Sequence, residues 1–383
     1  MFNRCPDSAF FSGRVKNFAL SSFAASMLAF LGASFAFADE AGAKWGFINQ
    51  HGKLKIKAEY LEAGPFGEGL APVKLEVKDS SGASDELFGF IDKEGSIKIQ
   101  PQFKEARSFS FGLAEVRIPD SGPLVDKFGD ESRGKWGFID KKGEFAIKPG
   151  YESVTAFSDG VAAVSDPSKD GWGYIDKNGK YVFDSKFELA LPFSDGIAPV
   201  LKDRAQSLIG YNSLGIWIAK NQQFSYIDKS GKEINTAQFD THGAFADGLA
   251  LVAVGEFQGV AIPDKWGYVD KTARLVIRPQ FNFVNQFSEG YAAVQGGKWN
   301  DSGEGFRSWS PGGWGYINVS GKNVIPCDFE DAEMFSGGFA AIKKGGKWGF
   351  IDNKARVFVQ PKYLGTRRFS EGLAPVLVPA SEL

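Results

Sequence analysis

The segment Lys135–Gly143, KWGFIDKKG, constrains this 383-residue chain most strongly, because close copies of it recur along almost the whole length. Six copies keep the Trp-Gly pair, and two weaker ones, LFGFIDKEG and QFSYIDKSG, fill the gaps between them. The copies begin near residues 44, 87, 135, 171, 223, 265, 313 and 347. A motif that recurs eight times is typical of the structural unit of a repeat array rather than of a catalytic centre.

One repeat, followed from Lys135, predicts three antiparallel strands. Trp136–Ile139 is the first strand, and Asp140–Gly143 suits a tight turn, because Asp favours the opening position and Gly the left-handed closing one. Phe145–Ile147 is the return strand, which Pro149 ends. Val161–Val164 then forms a strand of Gly-Leu-Ala-x-Val type before the next Trp-Gly strand. We therefore expect an all-β chain of eight three-stranded meanders.

Aromatic residues recur at fixed places in these units. The six tryptophans of the motif are predicted to be structural core residues: Trp45, Trp136, Trp172, Trp266, Trp314 and Trp348. An aromatic follows each return strand, and a phenylalanine opens each second turn, at Phe66, Phe109, Phe157, Phe193, Phe245, Phe287, Phe335 and Phe369. A single three-stranded sheet is marginally stable in water, so the aromatic columns are expected to stack between neighbouring units into one continuous core.

Some copies depart from the pattern. Phe88 and Phe224 replace the tryptophan, and Ser225 replaces the glycine beside it. Ala273 and Ala355 replace the glycine of the first turn, where a left-handed alanine is strained by roughly 1 kcal/mol. The fifth copy, near Phe224, is the most degenerate.

These features resemble the WG-repeat family of bacterial proteins, also called KWG repeats. The matching elements are Trp-Gly-Phe/Tyr-Ile/Val-Asp/Asn-x-x-Gly, the Pro-x-aromatic that follows it, and Phe-Ser-x-Gly-Leu/Ile-Ala-x-Val, over about residues 44–378. The resemblance implies a WG-repeat domain over residues 39–383 that acts as a binding or scaffold module. It implies no shared activity and no catalytic residues.

The two ends of the array favour a closed ring. The repeats start with a Trp-Gly strand at Trp45–Ile48 and end with a Gly-Leu-Ala-Pro-Val strand at Gly372–Val376, so each end is half a meander. If the array curves round, the ends complete one unit, which is how β-propellers remove exposed edges. The alternative is an open superhelical stack with capped edges. We favour the propeller-like ring.

Long links between the Gly-Leu-Ala-x-Val strand and the next Trp-Gly strand are the candidate recognition sites, because loops that vary on a rigid repeat usually bind the ligand. Aromatic and polar residues in two of these links suit stacking of a sugar ring or a peptide side chain. The alternative is that they fold back and cover the sheet ends. A calcium loop near Asp301 fits poorly, because its acids miss the alternate spacing. The candidate ligand-binding residues are Tyr211, Trp217, Trp299, Asp301, Glu304, Phe306, Arg307 and Trp309.

A repeated Asp-Lys pair is interpreted as turn chemistry. Asp side chains accept hydrogen bonds from turn amides, and lysines keep the turn solvated. The pairs are Asp92-Lys93, Asp140-Lys141, Asp176-Lys177, Asp228-Lys229 and Asp270-Lys271.

The chemistry-bearing residues favour a binder over an enzyme. The two histidines, His51 and His242, are far apart, phosphate and dinucleotide motifs are absent, and no cofactor or metal is indicated. A net charge of −2 without a basic run argues against nucleic acid. We predict a non-catalytic binding or scaffold protein whose partner is another envelope protein. The alternative is a carbohydrate-binding protein or a carboxylate-dependent glycosidase, which needs two acids.

The N-terminus predicts export. Arg14 and Lys16 precede an apolar run that ends in Ala36-Phe37-Ala38, the pattern of a secretory signal peptide over residues 1–38. Retention of the run as a membrane anchor is the alternative. After cleavage we expect a periplasmic or extracellular protein without a stable membrane span. Cys5 would leave with the signal, so Cys327 has no intrachain disulfide partner.

We expect the exported protein to begin at Asp39, because the small-residue site ends at Ala38. N-terminal sequencing of the protein recovered outside the cytoplasm tests this expectation. Recovery of chains that still carry residues before Asp39 would contradict it.

Overall fold

The structure is a computed structural model, and it describes residues 41–78, 82–129, 132–169, 171–183, 187–201, 208–211, 217–219, 224–234, 241–254, 265–281, 283–301 and 307–383. The predicted signal peptide at 1–38 lies outside the described residues. Strands dominate the described part, which contains one short helix, α1 (Pro123–Phe128), and a 3₁₀ turn at Ala380–Glu382.

The strands form eight small antiparallel sheets, the blades of an eight-bladed β-propeller. Blades are numbered by their Trp-Gly strand, and strands a to d of each blade follow the order across the sheet. Blade 1 contains β32 (Gly365–Thr366), β33 (Leu373–Val378), β1 (Lys44–Asn49) and β2 (Leu54–Tyr60); blade 2, β3 (Glu62–Ala63), β4 (Ala71–Lys78), β5 (Ser84–Ile91) and β6 (Ile97–Phe103); blade 3, β7 (Glu105–Ala106), β8 (Ala114–Arg117), β9 (Trp136–Ile139) and β10 (Phe145–Tyr151); blade 4, β11 (Ser153–Val154), β12 (Ala162–Asp166) and β13 (Gly171–Ile175).

The second half of the ring continues the same pattern. Blade 5 contains β14 (Leu189–Ala190), β15 (Ile197–Leu201), β18 (Phe224–Asp228) and β19 (Glu233–Ile234), with an added hairpin of β16 (Leu208–Tyr211) and β17 (Trp217–Ala219); blade 6, β20 (Thr241–Ala246), β21 (Leu249–Val254), β22 (Lys265–Asp270) and β23 (Leu275–Phe281); blade 7, β24 (Phe283–Val284), β25 (Tyr291–Asp301), β26 (Arg307–Asn318) and β27 (Asn323–Phe329); blade 8, β28 (Asp331–Ala332), β29 (Phe339–Lys344), β30 (Lys347–Asp352) and β31 (Val357–Tyr363).

The predicted meander corresponds to strands b, c and d, and a short strand a precedes it. Strand b carries Gly-Leu-Ala-x-Val, strand c carries Trp-Gly, and strand d is the return strand. In blade 4, strand d is reduced to isolated bridges at Tyr181 and Phe187. Strand d forms the outer edge and alternates exposed with buried residues, as in β2.

The ring closes as the sequence predicts. Strand β1 near the N-terminus pairs antiparallel with β33 near the C-terminus, from Lys44 opposite Val378 to Asn49 opposite Leu373. Blade 1 is therefore built from both ends of the chain, and the open superhelical alternative is excluded. Closure leaves no strand edge between the first and last repeats.

One aromatic contact repeats at every junction between blades. The aromatic residue after Trp-Gly in one blade packs against the turn phenylalanine of the next, with ring centroids 4.7–5.2 Å apart. The six motif tryptophans lie beside this contact and are 0–7% exposed. The core therefore lies between the blades. The pairs are Phe47–Phe66, Phe90–Phe109, Phe138–Phe157, Tyr174–Phe193, Tyr226–Phe245, Tyr268–Phe287, Tyr316–Phe335 and Phe350–Phe369.

The glycine of the Trp-Gly pair is required by a close backbone approach. Strand d bulges where it passes this residue: Phe138 pairs with Ile147, but Trp136 pairs with Tyr151. A Cβ added to Gly137 would lie 2.8 Å from the carbonyl oxygen of Ile147 and from the nitrogen of Pro149. Atoms do not approach so closely without a backbone shift, so a side chain is excluded here.

The departures from the repeat follow the same logic. Ala273 and Ala355 have φ values of 62° and 60°, the left-handed conformation expected at the turn glycine. Ser225 stands in the glycine position of blade 5, and its hydroxyl donates a hydrogen bond to Glu233 on strand β19.

The turns between strands a and b link each blade to the next. The residue before the closing glycine has a positive φ of 51–57° in seven of these turns. In six blades it is an acid whose carboxylate accepts a hydrogen bond from a glycine amide of the next blade, as Asp159 does from Gly196 at 2.6 Å. Serine hydroxyls of the same turns donate to the next blade's phenylalanine carbonyl, as Ser110 does to Phe157 at 2.6 Å. These bonds fix the blades around the ring.

We expect Gly137→Ala to destabilise the protein by roughly 1–3 kcal/mol, the usual cost of overpacking, because the added Cβ meets strand d. Gly150→Ala on the same strand pair is the matched control. A Cβ added to Gly150 would enter open space, and Gly150 has no left-handed φ, so the change should be neutral or stabilising by up to about 1 kcal/mol. Urea unfolding of both variants tests this; equal midpoints would contradict the glycine assignment.

Candidate functional site

The propeller has two different faces. Because neighbouring strands are antiparallel, the a–b and c–d turns lie on one side of the ring, here called the turn face, and the b–c links lie on the other, the insertion face. Turn-face loops are short and similar in sequence. The insertion face varies: blade 8 joins Lys344 to Lys347 through Gly345-Gly346, blade 3 carries α1, and blades 5 and 7 carry hairpins.

The longest hairpin brings four of the predicted ligand-binding residues together. Strands β25 and β26 continue their antiparallel ladder beyond blade 7, past a bulge between Gln295 and Gly297. Trp299 is the Cα partner of Trp309, and Asp301 is the Cα partner of Arg307. These two tryptophans lie outside the repeated Trp-Gly motif. The pairing places them at one level of a two-stranded ribbon that extends from the insertion face.

The blade 5 hairpin repeats this arrangement. Tyr211 on β16 is the Cα partner of Trp217 on β17. Strand β17 lies beside β20 of blade 6, so the hairpin leans toward the next blade. Spacing in the sequence does not show either aromatic pairing, because both depend on the register of the hairpins. The remaining candidates, Glu304 and Phe306, lie outside the described residues.

A buried charged residue that sequence reasoning missed, Glu115, lies in blade 3 and interacts electrostatically with Arg107. Glu115 is 1% exposed, and neither of its carboxylate oxygens has a hydrogen-bond partner within the described part of the chain. Burial raises the pKa of Glu115, although Arg107 opposes this rise. The Arg107 guanidinium lies 4.6 Å from the Trp136 ring, and its Nη1 donates to the Val154 carbonyl at 2.9 Å.

A second charged cluster lies at the closing blade. The guanidinium of Arg367 lies 5.4 Å from the ring centroid of Trp45 and interacts electrostatically with Glu333 and Glu62. Burial raises the pKa of Glu333 to about 7, against the opposing effect of Arg367. Arg107, Glu333 and Arg367 occupy the same position in their repeats, two residues before the turn phenylalanine. They therefore lie at equivalent positions of their blades, directly after strand a.

A repeat alignment contains the signal that could have found Glu115. It occupies the variable position of Gly-Leu-Ala-x-Val, where the other seven blades have apolar residues: Pro72, Ala163, Pro199, Leu251, Ala293, Ala341 and Pro375. At a position that is apolar in the other seven repeats, a charged residue is not required by the repeat fold.

These buried groups do not form a metal centre. Within the described ranges, no group of three or more His, Cys, Asp or Glu residues is placed to hold a metal ion. Cys327 is a free, half-buried thiol, and burial raises its pKa. None of the helices in the described residues has the length and apolar character needed to cross a membrane.

We expect the stability of the protein to fall as the pH rises from about 4.5 to about 7, in part because of Glu333. The Glu333 carboxyl has a pKa near 4.5 in the unfolded state and about 7 in the folded state, so the folded state holds the proton more tightly. The contribution of this proton to the free energy of unfolding is therefore full below pH 4.5 and is lost as the pH reaches about 7. The shift corresponds to at most roughly 3 kcal/mol.

Glu333→Gln tests this contribution. Its gain in unfolding free energy over the unchanged protein should grow between pH 4.5 and 7.5, measured by urea unfolding at several pH values. Glu144→Gln, which removes an exposed carboxyl of blade 3, is the control. A parallel pH dependence for the two variants would contradict the assignment to Glu333.

Comparison with solved structures found distant similarities. Solved structures similar to the chain include the uncharacterized protein lmo1340 from Listeria monocytogenes EGD-e, at 11% identity and a TM-score of 0.43, covering 79% of this chain and 95% of that one. Apo AztD from Citrobacter koseri has 11% identity and a TM-score of 0.36, covering 82% of this chain and 81% of that one. Puromycin hydrolase has 11% identity and a TM-score of 0.40, covering 82% of this chain and 55% of that one. Similarities this low carry no argument about activity.

No curated protein matches the chain in sequence. A family described as a WG containing repeat matches eight segments: 45–76, 88–118, 136–166, 172–204, 224–256, 266–299, 314–348 and 348–378. Each segment starts at a strand c and runs into strand b of the following blade, so the sequence unit straddles two blades. Because these matches cover most of the chain and equal its blades in number, the chain belongs to the WG-repeat family.

Proposed function

We propose that this protein is an exported, non-catalytic binding module that holds another protein of the cell envelope on its insertion face. The observation that carries the proposal is the pair of hairpins on that face, each with aromatic residues as cross-strand partners: Tyr211 with Trp217, and Trp299 with Trp309. Tryptophan and tyrosine are the side chains most enriched in the energetic centres of protein interfaces.

The repeated residues support this division of roles, because the fold accounts for them. Trp-Gly, the turn phenylalanine and the turn acid are used in packing strands and joining blades. The aromatic residues of the two hairpins have no counterpart in the other blades, so the ring does not require them. A rigid ring that presents variable links is the usual arrangement of repeat proteins that bind other molecules.

A non-catalytic role is favoured by the positions of Glu115 and Arg107, whose pKa values are shifted by burial. Glu115 and Arg107 are held between blades, where Arg107 stacks on Trp136 and bonds the Val154 carbonyl. A general acid needs access to a substrate atom, which a carboxyl 1% exposed does not have. The Arg107 side chain is explained by its hydrogen bond to blade 4.

The test replaces residues 297–312 with two glycines, copying the Lys344–Lys347 link of blade 8 onto blade 7. The ring should remain folded, because the ladder up to Gln295 and Trp314 is kept. The control replaces residues 76–86 of blade 2 with two glycines, which shortens a hairpin without a tryptophan. Both variants and the unchanged protein are immobilised and exposed to envelope extract, and bound proteins are identified by mass spectrometry.

We expect a protein that binds the unchanged chain and the blade 2 variant but is lost from the blade 7 variant. With that protein purified, Trp299→Ala combined with Trp309→Ala should weaken binding by roughly 2 kcal/mol or more, while the melting temperature changes little. Lower stability without lost binding would show that the tryptophans are packing residues. Binding to a glycan array that disappears with the ribbon would favour the carbohydrate-binding alternative.

A further inference from the structure

The lysines of the repeated Asp-Lys pairs do more than solvate their turns. The aspartates act as the sequence predicts: Asp140 accepts hydrogen bonds from the amides of Lys142 and Glu144 at 2.9 and 3.0 Å. The lysines, however, reach back to the turn acid of the preceding blade. Lys93 Nζ lies 2.8 Å from Glu371, and Lys141 Nζ lies 3.0 Å from Glu68.

Two further blades show a variation of this contact. Lys229 Nζ donates to the Asp159 main-chain carbonyl at 2.8 Å and lies 3.9 Å from its carboxylate. Lys271 Nζ makes the same pair of contacts with Asp195, at 2.9 and 3.7 Å. The left-handed backbone of the acid, with φ near 55°, is common to these turns, so carbonyl and carboxylate together form a receptor for an ammonium group.

The receptor is preorganised by the ring itself. Each of these acids is held by a glycine amide of the following blade, at 2.9 Å for Glu68 and 3.0 Å for Asp195. Partial burial raises the pKa of Glu68, but the hydrogen bonds from Lys141 and Gly112 outweigh it, and the pKa lies below its ordinary value. The lysine and the glycine amide thus both favour the ionised carboxylate, and the glycine amide orients it.

Two blades keep the receptor and lack the lysine. Asp247 is held by the Gly290 amide at 2.7 Å, and Glu289 by the Gly337 and Gly338 amides at 2.6 and 2.9 Å. Their φ values, 51° and 55°, match those of the occupied turns. The residues in the lysine position of the following blades are Val319 and Asn353.

In the other two blades the residue opposite the lysine position is not an acid. In blade 4, Lys177 faces Phe111 instead of an acid, and its Nζ lies 5.5 Å from the ring centroid. In blade 1, Gln50 occupies the lysine position, and the residue opposite in blade 8 is Gly337, which has no carboxylate. Of the six turns that keep the acid, only those at Asp247 and Glu289 face a residue other than lysine at this position.

We propose that Asp247 and Glu289 form a two-point binding site on the turn face for the lysine side chains of a partner protein. The charge complementarity is the one that this chain satisfies internally at Glu68, Asp159, Asp195 and Glu371. Val319 is 45% exposed and occupies the lysine position of blade 7, so it offers an apolar contact to the methylene stem of an incoming lysine. The site lies on the face opposite the hairpins and is independent of the function proposed above.

The test restores the missing lysines. In the variant with Val319→Lys and Asn353→Lys, the chain's own ammonium groups should fill both receptors, as Lys229 and Lys271 do. The control variant carries Gln280→Lys and Gln360→Lys, which add the same charge on strands d, away from the turn face receptors. The probe is an N-acetylated, C-amidated tetralysine peptide, titrated by calorimetry at low ionic strength.

We expect the unchanged protein to bind tetralysine, the restored variant to bind at least tenfold more weakly, and the control to differ by less than twofold. Asp247→Asn combined with Glu289→Gln should weaken binding as the restored variant does, while the thermal melt of each variant shows that the ring is folded. Equal weakening by the control would assign binding to overall charge and overturn the proposal. So would the failure of the unchanged protein to bind the peptide.

Discussion

The aromatic contact between successive blades is the interaction on which the rest of this structure depends. Each blade is a small sheet that would be only marginally stable alone. Its buried face is completed by an aromatic side chain of the next blade, as Phe157 packs against Phe138. Aromatic pairs of this kind contribute about 0.5–1.5 kcal/mol beyond the burial of their surface. Because the contact links neighbours, an open array would leave one unpaired aromatic face at each end. Closure through β1 and β33 removes both of those faces.

The close approach of strand d explains why a tryptophan stands beside a glycine. The glycine lets the return strand cross at backbone distance, while the tryptophan fills the space between blades beside that crossing. In blade 5 the glycine is replaced by Ser225, whose hydroxyl donates a hydrogen bond to Glu233. The motif therefore reflects backbone geometry and packing, and its repetition does not indicate a repeated active site.

The two faces of the ring follow different rules. The turn face joins blade to blade through turn acids, glycine amides and lysines, so its residues are constrained by their neighbours. The insertion face has no such constraint, because a b–c link can lengthen without disturbing the ring, as the comparison of blades 7 and 8 shows. The two proposed binding sites therefore differ in origin. The site on the insertion face uses added hairpins, and the site on the turn face uses acids whose lysine partners are replaced.

The sequence by itself determined the all-β class, the eight units and the turn positions, because these follow from local patterns repeated eight times. It favoured the closing of the ring, which the pairing of β1 with β33 decided. Left-handed alanines at positions 273 and 355 were equally predictable, since turn geometry is local. The tertiary structure alone decided which residues meet across blades. Register placed Trp299 opposite Trp309, ring closure brought Arg367 to Trp45, and the offset between blades carried Lys141 to Glu68. Such contacts depend on how one sheet is rotated and stacked on the next, which no pattern within a single repeat specifies.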